Sequence, residues 1–217
     1  MKRLEIGSLP KGDTVSAPSK QRRGNRASRI PEIIEVSIRL LASEGYAGYS
    51  INRVASSAGL RLSTVQHYFS SREELLRATM DVMSQRWLER FRESAQQAAL
   101  PPGKKLDMIV DKFYDNLTEH ELGSFIFQSW ALAEHEEFAK DILKNIQREY
   151  TQFFATIVAG INPSLSTAEC SLRASLIAAH ADGLLIYYRR AEGDIQNLDE
   201  LRGATKVIWR ALCDAPT

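Results

Sequence analysis

Hydrophobic positions return at spacings of three and four along most of the chain, which is the repeat of a helix with one buried face. Ile33, Ile34, Ile38 and Leu41 follow this spacing, with Pro31 in the first turn and Gly45 placed to stop the chain, and predict a helix from Pro31 to Glu44. Ser50 stands as an N-cap before Ile51, Val54 and Ala55, predicting a short helix that ends at Gly59. A third short helix is expected over Leu62 to Tyr68, after which Ser71 caps a long one running from Arg72 to about Ala99. Pro101-Pro102-Gly103 then separates it from helices at about Lys104 to Glu119, Gly123 to His135 and Glu137 to Ala159. Ser166-x-x-Glu169 reads as a capping box opening a helix to about Arg190, and Asn197-x-x-Glu200 as another opening a last helix to about Leu212. No alternating stretch rich in β-branched residues survives inspection, so the expected class is all-α with about nine helices.

Charge changes this picture in one respect. The 217 residues carry 28 Lys and Arg against 27 Asp and Glu, a net +1 that advertises no nucleic-acid or membrane partner. The balance is uneven: residues 1–77 hold 13 basic and 7 acidic residues, and residues 78–217 hold 15 and 20. Residues 1–29 alone hold eight basic and two acidic residues among scattered Gly, Pro and Ser, and read as a disordered basic arm. Residues 30–77 hold five of each sign, so the whole basic excess of the front lies in the arm. Cys170 and Cys213 have no CxxC pairing and suggest neither zinc nor a disulfide framework. A reducing, cytoplasmic setting is expected, since no stretch resembles a signal peptide or a membrane span.

The most informative stretch is INRVASSAGLRLSTVQHYF, Ile51 to Phe69. A helix-turn-helix needs a small residue where its helices cross, a residue tolerant of left-handed backbone four positions later, and apolar residues that fix the crossing. Ala55 and Gly59 meet the first two, and Val54, Ala58, Leu60, Val65 and Tyr68 take the apolar positions. With Val65, Tyr68 and Phe69 turned inward, the outer face of the last helix presents Leu62, Ser63, Thr64, Gln66 and His67. Gln66 suits adenine, Ser63 and Thr64 reach bases or phosphates, and Leu62 suits a thymine methyl. His67 is either a phosphate or base donor or a solvated surface histidine.

Together with the SREEL run of Ser71 to Leu75, this segment resembles the DNA-binding domain of the tetracycline-repressor (TetR) family over about Ile30 to Met80. The stretch Phe127 to Glu134 is similar to the betaine-regulator (BetI-like) branch. The resemblance implies a homodimer with a three-helix DNA-binding domain at residues 30–78, joined by a long fourth helix to a ligand-binding and dimerisation domain at residues 79–217. It implies that the third helix enters the major groove of a double-stranded operator. Arg53, Arg61 and Arg72 are the expected backbone contacts, with Ser50 and Tyr68 bordering the interface, and a helix-surface charge is the other reading of Arg53. Arg61, Ser63 and Gln66 depart from the serine, glycine and aromatic common in the family, so no operator sequence is inherited. The arm is either a solvated tail or a backbone tracker through Arg22, Arg23, Arg26 and Arg29.

For the remainder, Trp87, Phe113, Phe127, Trp130, Tyr150 and Phe154, with His180 as a polar handle, are the expected lining of an effector pocket, with simple core as the alternative. Phe125, Phe153 and Tyr187 are of the same kind. A four-helix dimer interface is expected from the last two long helices through Leu172, Leu176, Gly183, Leu184, Ile208 and Trp209, with Ala174, Ala178 and Ala181 allowing close approach and Val207 adding apolar surface. The function expected is a ligand-responsive regulator, most often a repressor, that needs no cofactor or metal. Alternatives are a DNA-binding regulator without small-molecule control and a helical protein-interaction module. An enzyme is disfavoured by the lack of HExxH, GxSxG, P-loop or GxGxxG patterns.

Overall fold

The computed structural model describes residues 26–95, 100–191 and 196–216. The arm through residue 25, with Arg22 and Arg23, lies outside the described residues. Among the described residues there are nine helices and no strands: α1 Arg26–Gly48, α2 Ile51–Ser57, α3 Leu62–Tyr68, α4 Arg72–Ala95, α5 Pro102–Leu117, α6 His120–Ala133, α7 Glu137–Ile161, α8 Thr167–Arg190 and α9 Leu198–Asp214. None of them is long and apolar enough to cross a membrane.

Helix α1 starts earlier than the apolar repeat suggests, so Arg26 and Arg29 are helical rather than part of an arm. Arg29 bonds Glu32 one turn on at 2.7 Å, and Pro31 falls inside the helix rather than in its first turn. Gly45 interrupts α1 at φ 67°, ψ 179°, a backbone region essentially reserved for glycine. A Cβ there would also lie 3.0 Å from Gln128 Oε1, so the break and the approach of α6 both depend on this residue.

The caps follow the sequence at three of four helices. Ser50, Ser71 and Ser166 each accept a backbone N–H three residues on, at 3.2, 3.0 and 3.2 Å. At Asn197 the expected capping bond is absent and α9 begins without a side-chain acceptor. The far end of α9 is held instead, because the buried Arg173 of α8 donates to the carbonyls of Leu212 and Ala215 at 3.0 and 2.7 Å.

Two apolar clusters organise the molecule. One is built by α1, α2, α3 and the first turns of α4, and takes in Phe125 and Leu132 of α6 and Phe138, Ala139 and Ile142 of α7. A buried hydroxyl chain crosses it: Ser37 Oγ lies 2.5 Å from Tyr49 Oη and 2.6 Å from Thr79 Oγ1. The other cluster joins the second half of α4 to α5, α7, α8 and α9, centred on Tyr114, Phe154 and Trp209. Helix α4 belongs to both, and at 1.5 Å per residue its 24 described residues span about 36 Å.

A candidate DNA interface and an internal cavity

Helices α2 and α3 meet through a turn whose shape comes from Gly59, at φ 64°. Leu60 N–H bonds the carbonyl of Ala55 at 2.9 Å, closing the turn over the small residue at the crossing. Val54 and Val65 are fully buried and Ala55 and Phe69 nearly so, whereas Ala58, Leu60 and Tyr68 are only half-buried. These anchors fix the roll of α3. Leu62, Ser63, Gln66 and His67 face outward with Thr64 half-exposed beside them, and the His67 ring stands edge-on to Tyr68 at 5.1 Å. The five positions expected to read the groove are thus on one accessible face of a seven-residue helix.

The three arginines do not share one situation. Arg61 is exposed, and no carboxylate among the described residues pairs with it. Arg53 is exposed too, but both its Nε and its Nη2 bond the Glu44 carboxylate at the end of α1. Arg72 is turned inward: Nη2 donates to the Tyr46 carbonyl at 2.6 Å and the guanidinium lies 3.9 Å from the Tyr46 ring centroid. Arg72 therefore fastens the start of α4 to the end of α1, and Arg61 is the cation of the three without a partner inside the described fold.

Behind this domain lies a cavity of about 250 Å³ between α4, α6, α7 and α8. Of the expected pocket residues, Trp87, Trp130 and Tyr150 line it. Phe113, Phe127, Phe154 and His180 do not. Phe113 and Phe154 are core, packed on Trp209 at 6.1 and 5.4 Å between centroids, and Phe127 stacks edge-on with Trp130 outside the lining. His180 Nδ1 accepts the indole N–H of Trp209 at 2.9 Å, and burial lowers its pKa. Phe125, an aromatic of the same expected kind, also lines the cavity, as do Met80, Ser129 and Asp182, which the sequence does not single out. Asp182 carries a legible signal, an acid interrupting an apolar helix, and His180 two positions away carries a similar one but bonds Trp209 in the core, the other reading of that histidine.

The outer face of α8 and α9 is apolar and uncovered. Leu172, Leu176, Val207 and Ile208 are 56, 49, 67 and 45% exposed, and Gly183 is open beside them. Leu184 and Trp209, expected at the same interface, are instead buried within the subunit, as are Ala174, Ala178 and Ala181. Each lies about a quarter-turn or more round its helix from the exposed row, which at 100° per residue moves it to the inner face. Tyr187, grouped with pocket aromatics by type, is 57% exposed and stands on the outer patch.

An N-terminal helix-turn-helix with an exposed polar third helix, carried on a helical body with a ligand-sized cavity, defines a DNA-binding regulator. Residues 33–79 match the family described as bacterial regulatory proteins, tetR family. The chain is 24% identical over 187 residues to the transcriptional regulator BetI of Burkholderia thailandensis, covering 85% of this chain and 94% of that one. The fold is shared with a transcriptional regulator from Pseudomonas aeruginosa at TM-score 0.76 and 16% identity, over 88% of this chain and 91% of that one. It is shared also with FadR from Bacillus subtilis, solved with stearoyl-CoA, at TM-score 0.68 and 18% identity over 86 and 99% of the two chains. Residues 33–79 form a DNA-binding domain of the tetR family, and most of the chain's length is similar to transcriptional regulators such as BetI.

Proposed function

We propose that this protein is a homodimeric repressor that reads a palindromic operator through α3 and releases it when a small molecule occupies the α4/α6/α7/α8 cavity. The observation that carries the reading is a shared wall: Met80 and Phe125 line the cavity and are also members of the apolar cluster that holds α1, α2 and α3. A ligand that repacks those two side chains acts on the mounting of the recognition helix without touching it. Two such helices must sit one helical turn of DNA apart, ~34 to 36 Å, to bind together, so a small change of mounting angle is multiplied across the dimer. The ligand must prefer the arrangement that binds DNA poorly, by ~1 to 3 kcal/mol for a 5- to 150-fold release.

The exposed apolar face of α8 and α9 supports the dimer, because two copies laid together would bury a self-complementary four-helix contact. In the DNA complex Leu62, Ser63, Thr64, Gln66 and His67 face the groove and Arg61 takes a phosphate. The arm supplies non-specific attraction, so deleting residues 1–27 lowers the slope of log affinity against log salt by ~0.9 for every phosphate the arm neutralises. The deciding experiment is selection of bound sequences from a random DNA pool with the purified chain. Recovery of a palindromic site supports the reading, and recovery of no enriched sequence refutes it.

A further inference from the structure

The polar groups of the cavity differ in whether the fold already satisfies them. Ser84 Oγ donates to the Met80 carbonyl at 2.6 Å and Ser129 Oγ to the Phe125 carbonyl at 2.9 Å, so both hydroxyls are engaged one turn back on their own helices. Tyr150 differs: its side chain is nine-tenths buried, its ring lines the cavity, and its hydroxyl has no hydrogen-bond partner among the described residues. A buried hydroxyl left unpaired is costly, and a ligand atom at that point recovers the lost bond.

Asp182 is the second polar group, exposed rather than buried. It lines the same cavity at its open rim, and no Lys, Arg or His among the described residues pairs with it. The surrounding apolar groups push its carboxyl up to about 6, and its charge in turn adds to the burial that raises the Tyr150 hydroxyl. Apart from Tyr150, Asp182 is the one ionisable residue of the lining among the described residues. The cavity is therefore apolar and aromatic with a single negative charge and no counter-charge.

Building on the proposed effector cavity, we infer that its ligand is a compact organic cation: a protonated amine on an apolar body. Its N–H groups donate to the Tyr150 hydroxyl oxygen and the Asp182 carboxylate, and its apolar part lies against Trp87, Phe125 and Trp130. Charge selects the amine, since an anion would meet Asp182 with no cation in the lining to offset the repulsion, while aromatic faces attract a cation. Size selects a compact body: about 250 Å³ is the liquid share of roughly eight waters at ~30 Å³ each.

Three probes of one size test this: 2-phenylethylamine, 2-phenylethanol and phenylacetate, titrated into the full chain at pH 7.5. Calorimetry gives affinities, and fluorescence of Trp87 and Trp130 reports occupancy. The amine is expected to bind at least tenfold tighter than the alcohol, with the acid weakest. Asp182→Asn should bring amine and alcohol to within threefold of each other, and Tyr150→Phe should weaken the amine several-fold, each variant melting as a folded protein. Equal binding of amine and alcohol to the wild type, or tighter binding of the acid, overturns the cation assignment while leaving the cavity a ligand site. Amine binding that depends on Asp182 but leaves operator affinity unchanged supports the ligand class and refutes release. Failure of all three probes to bind overturns both.

Discussion

Replacing Gln66 with Ala tests the assignment of sequence reading to α3 with little interference from folding. Gln66 is exposed and forms no hydrogen bond within the described residues, so the substitution should change stability by less than ~0.5 kcal/mol. A bidentate contact with a base is worth ~1 to 3 kcal/mol of discrimination, and a symmetric dimer gives it up in both half-sites. The expected loss is then ~2 to 6 kcal/mol on the selected operator, roughly 30-fold to 20,000-fold at ~1.4 kcal/mol per decade. On scrambled DNA the change should stay within about threefold, because phosphate attraction is untouched. Fluorescence anisotropy with labelled operator and scrambled duplexes at one salt concentration measures both. Arg61→Ala is the contrasting variant: it should weaken both DNAs alike and lower the salt slope by ~0.9 for each phosphate that Arg61 neutralises. Equal losses on the two DNAs for Gln66→Ala would refute base reading at that position.

Three further expectations concern the scaffold. Gly59→Ala should lower unfolding stability by ~1 to 2 kcal/mol in urea denaturation, since the added Cβ meets nothing within 4 Å and the whole cost is the left-handed backbone at φ 64°. Ser37→Ala, which strips the Tyr49 hydroxyl of its buried partner while Thr79 keeps its bond to the Leu75 carbonyl, should cost ~1 to 3 kcal/mol in the same assay. Burial lowers the pKa of His180 and raises that of Asp182 to about 6, so the two give opposite slopes of stability against pH. The His180 contribution is present above its unfolded value near ~6.5 and is lost as pH falls through the lower folded one. The Asp182 contribution is present below ~3.9 and is lost as pH rises through about 6. Melting temperatures from pH 4 to 8 should show His180→Gln removing part of the acid-side loss and Asp182→Asn removing part of the fall toward neutral pH.

Much of the local structure is legible in the sequence because it is written in local chemistry. Ser50, Ser71 and Ser166 mark helix starts, Gly45 and Gly59 mark breaks, and the inward face of α3 follows from the spacing of Val65, Tyr68 and Phe69. The early start of α1 is hidden because residues before Ile30 show no apolar repeat, and the Arg29–Glu32 pair there is a charge effect. Periodicity finds the face of a helix that turns inward, but it does not say whether the space in front is filled. Phe154 and Tyr150 are one turn apart on α7 and their rings touch at 4.8 Å, yet one is core and the other a cavity wall. Helix α8 is apolar on two sides, one packed within the subunit and one open, so Leu184 and Leu176 look alike in sequence and are sorted by tertiary packing. Arg53 and Arg72 read in sequence as cations facing outward, and their partners Glu44 and Tyr46 are neighbours only in the folded chain.

Tyr46 is where these long-range contacts converge, and for the proposed release it offers a second route between the two halves. The long helix α4 is the coupling element that length alone suggests. Yet the break at Gly45 puts Tyr46 N–H 3.3 Å from Gln128 Oε1 of α6, and its hydroxyl donates to Glu136, just before α7, at 2.6 Å. The same residue holds Arg72 at the head of α4 through its carbonyl and ring. Gln128 lies one residue from Ser129 and three from Phe125, both cavity-lining. In the proposed release, a displacement of α6 by a ligand would therefore reach α1 and α4 at one point, without bending α4 along its length. Tyr46→Phe removes one charge-assisted bond, worth ~1.5 to 3 kcal/mol when fully buried and toward ~1 here, where both partners are partly open to water. Operator affinity of the free protein should change less than about threefold, and the release produced by a saturating cavity ligand should shrink by roughly fivefold. Unchanged release in Tyr46→Phe, with the ligand still bound, would return the coupling role to α4 alone.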